Sequence, residues 1–134
     1  RSLSSAASDV YKRQVLEDLK KKNFKLAILS NGTLDLLNEL VESNKLNNLF
    51  DDLFSIEEVK IYKPDPRVYE IPIKKYKIKS DEITFLSANT WDVSGGGNFG
   101  YNSIWVNRHN SVFDILDFQP ENEISNLTQL LDIV

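Results

Sequence analysis

Four short stretches carry side chains able to do chemistry: Ser30-Asn31-Gly32, Lys63-Pro64-Asp65-Pro66, Ser87-Ala88-Asn89-Thr90-Trp91-Asp92 and Asn107-Arg108. Ser30 with Asn31, and Ser87 with Asn89, pair a hydroxyl with an amide. Asp92 adds a carboxylate and Lys63 a cation. Together they would form a hydrogen-bonding cradle with one positive and one negative charge. Beside a helix N-terminus, where unpaired N–H groups and the helix dipole favour negative charge, such a cradle suits a small carboxylate or phosphate. Lys63 could keep a neighbouring carboxylate ionised and nucleophilic, and Asp92 could polarise a water. Taken singly, Ser-Asn-Gly is an ordinary turn, Lys-Pro-Asp an ordinary proline loop, and Ser87 and Asn89 ordinary helix caps. Trp91 and Tyr69 would pass as core or rim aromatics and His109 as a surface loop residue. It is the set that asks for a common explanation.

The elements that must position these residues follow from apolar spacing. Val15, Leu16 and Leu19 start a helix that Asn23 ends, and Lys25–Leu29 reads as a strand buried on both faces, stopped by Ser30-Asn31-Gly32. Leu34, Leu37 and Val41, with Leu36 and Leu40 beside them, give an amphipathic helix ending near Asn44. A short strand is expected at Leu53–Ser55. Asp65 can cap a helix that begins with Pro66, and Pro72 predicts a kink or early break in it. Ser80-Asp81-Glu82 reads as a turn, Ile83–Leu86 as a second buried strand, and Val93–Phe99 as a helix weakened by Gly95, Gly96 and Gly97. Ser103–Val106 is a third strand, and Ile124–Val134 closes with a short helix holding Leu127, Leu130 and Leu131. The glycines lack the order of a dinucleotide or P-loop fingerprint and read as close packing of helix on sheet. Strands alternating with helices predict a parallel sheet with helices on both faces, whose ligands bind at the carboxyl ends of the strands. Those ends hold three of the four stretches, and Lys63 comes from the loop between.

Composition narrows the chemistry. The chain has 134 residues, 41% hydrophobic and 27% charged, the balance of one globular domain rather than a disordered tail. A net charge of −4 provides no basic field for nucleic acid or anionic lipid. With no cysteine and one histidine, disulfides, thiolate nucleophiles and zinc cages are excluded. No apolar run approaches the roughly 20 residues of a membrane helix. Residues 1–14 show no periodicity and are expected to be an unstructured, foreign leader, with the domain at 15–134. The absence of methionine leads to the expectation of a fragment, and the absence of an export signal to a cytoplasmic location.

Leu26–Gly32, Tyr62–Tyr69, Ser87–Asp92, Phe99-Gly100-Tyr101 and Trp105–Arg108, in this order and spacing, resemble the haloacid dehalogenase superfamily and, within it, the type II (S)-2-haloacid dehalogenases. The resemblance covers about Val15 to Val134. It implies a three-layer α/β/α Rossmann-like core, mainly parallel, here incomplete in its first strand and most of its cap. It also implies cofactor-free hydrolysis of short (S)-2-haloalkanoates to (R)-2-hydroxyalkanoates through an aspartyl ester, with the small acid and halide as partners; members are often dimers through the cap. Carried over, Ser30 would hold the substrate carboxylate, and Asn31 and Trp91 would enclose the halide. Lys63 would neutralise the nucleophile, Ser87 and Asn89 would orient it, Tyr69 would line the pocket and Asp92 would activate water. No aspartate here stands in the nucleophile's context: neither Asp9 nor Asp18 follows an apolar strand, so the chain as written is expected to be inactive. Two alternatives stay open. One is a magnesium-dependent phosphatase of the superfamily, disfavoured because Ala88 replaces an acidic ligand that magnesium needs. The other is a non-catalytic fragment or binding module.

Overall fold

The computed structural model describes residues 3–114 and 116–134. The chain divides into two compact units, residues 1–55 with 127–134 and residues 56–126.

The first unit begins with helix α1, Leu3–Lys21, so the expectation of an unstructured stretch over residues 1–14 does not hold from residue 3 onward; residues 1 and 2 lie outside the described residues. No glycine or proline occurs between Leu3 and Lys21, so nothing stops a helix nucleated at the periodic segment from extending backward. Arg13–Glu17 at 3.0 Å and Gln14–Asp18 at 2.9 Å add one-turn pairs along it. Val15 and Leu19 are buried, and α1 packs on the 3-10 turn Leu127–Asp132. The expected closing helix is thus a 3-10 turn, preceded by an unexpected strand. Strand β1, Ala27–Ser30, pairs in parallel with β2, Asp52–Ser55, from Ala27 opposite Asp52 to Ser30 opposite Ser55. β1 is half-buried rather than covered on both faces, because a two-stranded sheet brings few neighbours. Helix α2, Leu34–Ser43, is capped by Thr33, whose hydroxyl accepts from Leu36 N. It buries Leu37 and Val41 and leaves Leu34, Leu36 and Leu40 exposed, a narrower core stripe than the spacing suggested. Asp51 anchors the base of the strands: its carboxylate takes Lys20 Nζ and Leu26 N–H, and the lysine's hydrogen bond, ahead of the backbone one, holds it below the usual carboxylate range.

The second unit is built on three parallel strands, β3 (Thr84–Ser87), β4 (Asn102–Val106) and β5 (Asn122–Ile124), in that order. Helix α3, Pro66–Tyr76, starts as expected with Asp65 accepting from Arg67 N and Pro66 at its first position. It runs unbroken through Pro72, because Val68, Tyr69, Ile71 and Pro72 are all buried and their packing outweighs one missing ladder bond. Helix α4, Thr90–Phe99, begins three residues earlier than the glycine-weakened stretch suggested, which places Trp91 and Asp92 in its first turn. Gly100 ends it at φ +120°, a left-handed cap that glycine adopts without steric cost. Val68, Val93 and Ile104 form the fully buried centre. Among the described residues no helix is long and apolar enough to cross a membrane.

The glycines are packing residues, as their order suggested. A methyl on Gly96 would lie 2.7 Å from Phe85 Cδ2 and 3.2 Å from Ser103 Oγ. Gly96→Ala gains about 1 kcal/mol of helix propensity but meets an overpacking cost of about 1–3 kcal/mol, so a net loss of roughly 1 kcal/mol is expected. Urea titration followed by tryptophan fluorescence checks this; a stabilised variant would show that Phe85 moves aside freely.

Candidate active site

The second unit gathers three of the expected site residues into one bonded group. Lys63, on the loop before α3, donates from Nζ to Asp92 Oδ2 at 2.9 Å. Tyr69, one turn into α3, donates its hydroxyl to Asp92 Oδ1 at 2.7 Å. Each carboxylate oxygen therefore has its own donor. The Lys63 and Asp92 side chains are only 9% and 4% exposed, so this is a desolvated ion pair; the phenol supplies the further hydrogen bond such a pair needs. Asp92 also lies in the first turn of α4, where the helix dipole favours a negative charge. Lys63 Nζ also stands 5.7 Å from the centre of the Phe85 ring, a cation–π contact. Burial, then the hydrogen bond to Asp92, pushes the Tyr69 phenol well above its usual value, so at ordinary pH it stays a donor.

Three more expected residues stand where β3 gives way to α4. Ser87 Oγ accepts from Asn89 N–H at 3.2 Å and keeps its own proton to donate. Asn89 occupies the cap position of α4, yet its side chain makes no capping bond and is exposed, contrary to the ordinary-cap reading. Trp91 is 43% exposed, a rim residue, whereas Tyr69 is wholly buried. Ser30 and Asn31 belong to the first unit, at the carboxyl end of β1. Ser30 Oγ accepts from Gly32 N–H at 2.9 Å, and Ser55 donates to Gly32 O at 2.7 Å, so the turn is fixed while the Ser30 hydroxyl retains its proton.

Several supporting residues escaped the sequence reading. Trp105 Nε1 donates to Ala88 O at 3.2 Å and steadies the β3–α4 segment. Asp114 accepts from the Thr90 hydroxyl, and Tyr101 donates its hydroxyl to Tyr69 O. Tyr69, Phe85, Phe99 and Tyr101 stack around one another at 5.3–5.9 Å. Phe99, Tyr101 and Trp105 entered the sequence reading only inside motifs and elements, and no spacing marks them, Phe85 or Asp114 as supports of the site.

The sequence pattern of one family, described as haloacid dehalogenase-like hydrolase, matches residues 8–106, a span that takes in the Lys63–Asp92–Tyr69 group. The chain belongs to that family. Within the haloacid dehalogenase-like hydrolases it is 38% identical to an (S)-2-haloacid dehalogenase of Pseudomonas putida, over 84% of this chain and 49% of the relative. Its fold matches a dehalogenase solved with an intermediate complex at a TM-score of 0.89 and 32% identity, over 92% of this chain and 54% of that one. It also matches the L-2-haloacid dehalogenase of Xanthobacter autotrophicus with chloropropionic acid covalently bound, at a TM-score of 0.85 and 26% identity, over 90% and 58%. The chain spans about half the length of the curated relatives it matches. The α/β fold with parallel sheets that the resemblance implied is thus the one observed.

Proposed function

We propose that this chain carries the charge-balancing part of an (S)-2-haloacid dehalogenase site, which in the full-length parent hydrolyses short (S)-2-haloalkanoic acids to (R)-2-hydroxyalkanoic acids. The observation that carries the reading is the buried Asp92 carboxylate with Lys63 on one oxygen and Tyr69 on the other. The relative with covalently bound chloropropionic acid supports a covalent route. A carboxylate oxygen supplied from outside this sequence attacks C2, the carbon–halogen bond breaks, and halide leaves with the bonding pair, inverting C2. Water then adds to the carbonyl carbon of the resulting ester while Asp92 takes its proton. The C–O bond to the hydroxy acid breaks, its alkoxide oxygen takes that proton back from Asp92, and the freed nucleophile loses the remaining water proton to solvent to become a carboxylate again.

The charges explain the donors. Nucleophile, substrate and Asp92 each bring a negative charge, so their approach needs the Lys63 ammonium and a ring of hydrogen-bond donors. Ser87 and Asn89 would orient the nucleophile and its ester. Ser30 would take the substrate carboxylate, with Asn31 and Trp91 around the halide and Tyr69 at the pocket wall. The same reading makes the partners a small haloacid and halide, the parent a homodimer and its place of action the cytoplasm. It needs no metal ion. The 134-residue chain alone is expected to release no halide from (S)-2-chloropropionate, and the full-length parent to release it without magnesium. Lys63→Ala in the parent should lower kcat by at least about a hundredfold, the scale of removing one preorganised charge from a transition state. Magnesium-dependent phosphate release, with no halide release, would replace the dehalogenase reading by a phosphatase.

A further inference from the structure

Pro72 has no N–H, so the carbonyl four residues before it, that of buried Val68, lacks its regular α-helical donor. The α3 turn weakened in this way is the one that carries Tyr69, whose phenol fixes one oxygen of Asp92. A second hold on the same turn comes from outside the helix. Tyr101, 4% exposed and set in place just after the Gly100 cap, donates its hydroxyl to the carbonyl of Tyr69. The two rings meet edge to face at 5.6 Å and 89°, and Phe85 and Phe99 pack against both. Ring packing therefore survives loss of the Tyr101 hydroxyl, and only the bond to the Tyr69 carbonyl goes.

We propose that Tyr101 is a positioning residue: through the carbonyl of Tyr69 it secures the helical turn that Pro72 weakens, and so sets where the Tyr69 phenol meets Asp92. The consequence for water activation rests on the dehalogenase reading; the hold itself is a property of this chain. A hydroxyl that merely found an acceptor for itself would be indifferent to residue 72. A hydroxyl that compensates for proline becomes dispensable once an N–H is restored there.

The test is a two-residue cycle on the 134-residue chain: Tyr101→Phe, Pro72→Ala and both together, with the Tyr69 hydroxyl proton followed by NMR. In Tyr101→Phe, exchange of that proton with water should quicken about fivefold, the factor that one neutral hydrogen bond is worth. With Pro72→Ala in place, Tyr101→Phe should change the rate by no more than about twofold, because the new ladder bond to the Val68 carbonyl steadies the same turn from a neighbouring acceptor. Unchanged exchange in Tyr101→Phe would overturn the proposal, and so would an acceleration that Pro72→Ala leaves intact. Pro72 is itself buried, so Pro72→Ala trades some packing for a ladder bond; each Tyr101→Phe effect is therefore read against the chain with the same residue at 72, and circular dichroism of all four chains confirms that they are folded. Halide release by the parent is a separate measurement: its failure would remove the chemistry and leave the exchange result standing.

Discussion

Asp92→Ala is expected to cost the second unit about 3–5 kcal/mol, the usual penalty for removing one member of a buried ion pair. The loss is not that of the contact. With Asp92 gone, the Lys63 ammonium, 9% exposed, keeps its desolvation and loses its carboxylate, while the buried Tyr69 hydroxyl keeps only the main-chain carbonyl of residue 92, at 3.5 Å a poor acceptor. Against a net stability of about 5–15 kcal/mol, that is enough to populate the unfolded unit at physiological temperature. The double variant Asp92→Leu with Lys63→Met removes both charges and keeps apolar volume, so it should recover most of the loss, leaving a deficit of about 1 kcal/mol for the weakened hydrogen bond of the phenol. Both tryptophans, Trp91 and Trp105, lie in the second unit, so urea unfolding followed by tryptophan fluorescence reports on it selectively. A loss below about 1 kcal/mol in Asp92→Ala would mean that water reaches the pair and that it behaves as a surface salt bridge.

That pair also shows what the sequence could reveal. Lys63 and Asp92 were recognisable as site residues because one follows a strand-to-loop transition beside a proline pair and the other ends a polar segment after an apolar strand. Their contact with each other was not: 29 positions separate them, and neither lies on a periodic face. The strands at Ala27–Ser30, Thr84–Ser87 and Asn102–Val106 were legible because apolar runs bounded by turns mark them within a residue or two. Asn122–Ile124 was not, having one apolar residue in three; its strand character comes from pairing with Ile104–Val106. Helix α2 was placed almost to the residue, but spacing could not say that Leu36 and Leu40 remain exposed, since that depends on what packs above them. Tyr101 was quoted only as part of a motif, because a phenol bonding to a backbone carbonyl leaves no trace in residue spacing.

The chain should also lose stability steeply in alkaline solution, through two buried tyrosines. Burial first, and the nearby Asp92 charge second, push the Tyr101 phenol well above its ordinary value of 10.0; Tyr69 shifts the same way, with its hydrogen bond to Asp92 adding to burial. Below pH 10 both phenols are protonated in the folded and unfolded chains alike, and the shifts have no effect on the slope. Above it the unfolded chain releases these protons and the folded chain retains them, so the folded state binds more protons and stability falls as pH rises, by about 1.4 kcal/mol per unit for each phenol. Between about pH 9.5 and pH 11 the pair should remove roughly 2.5 kcal/mol, a large share of a typical domain's margin. Tyr101→Phe removes one of the two groups and should halve that loss, even though it lowers stability somewhat at neutral pH. Thermal unfolding followed by circular dichroism across this range gives the slope directly. A flat profile would mean that the phenols ionise within the folded chain, and Asp92 would then face a phenolate in place of a donor.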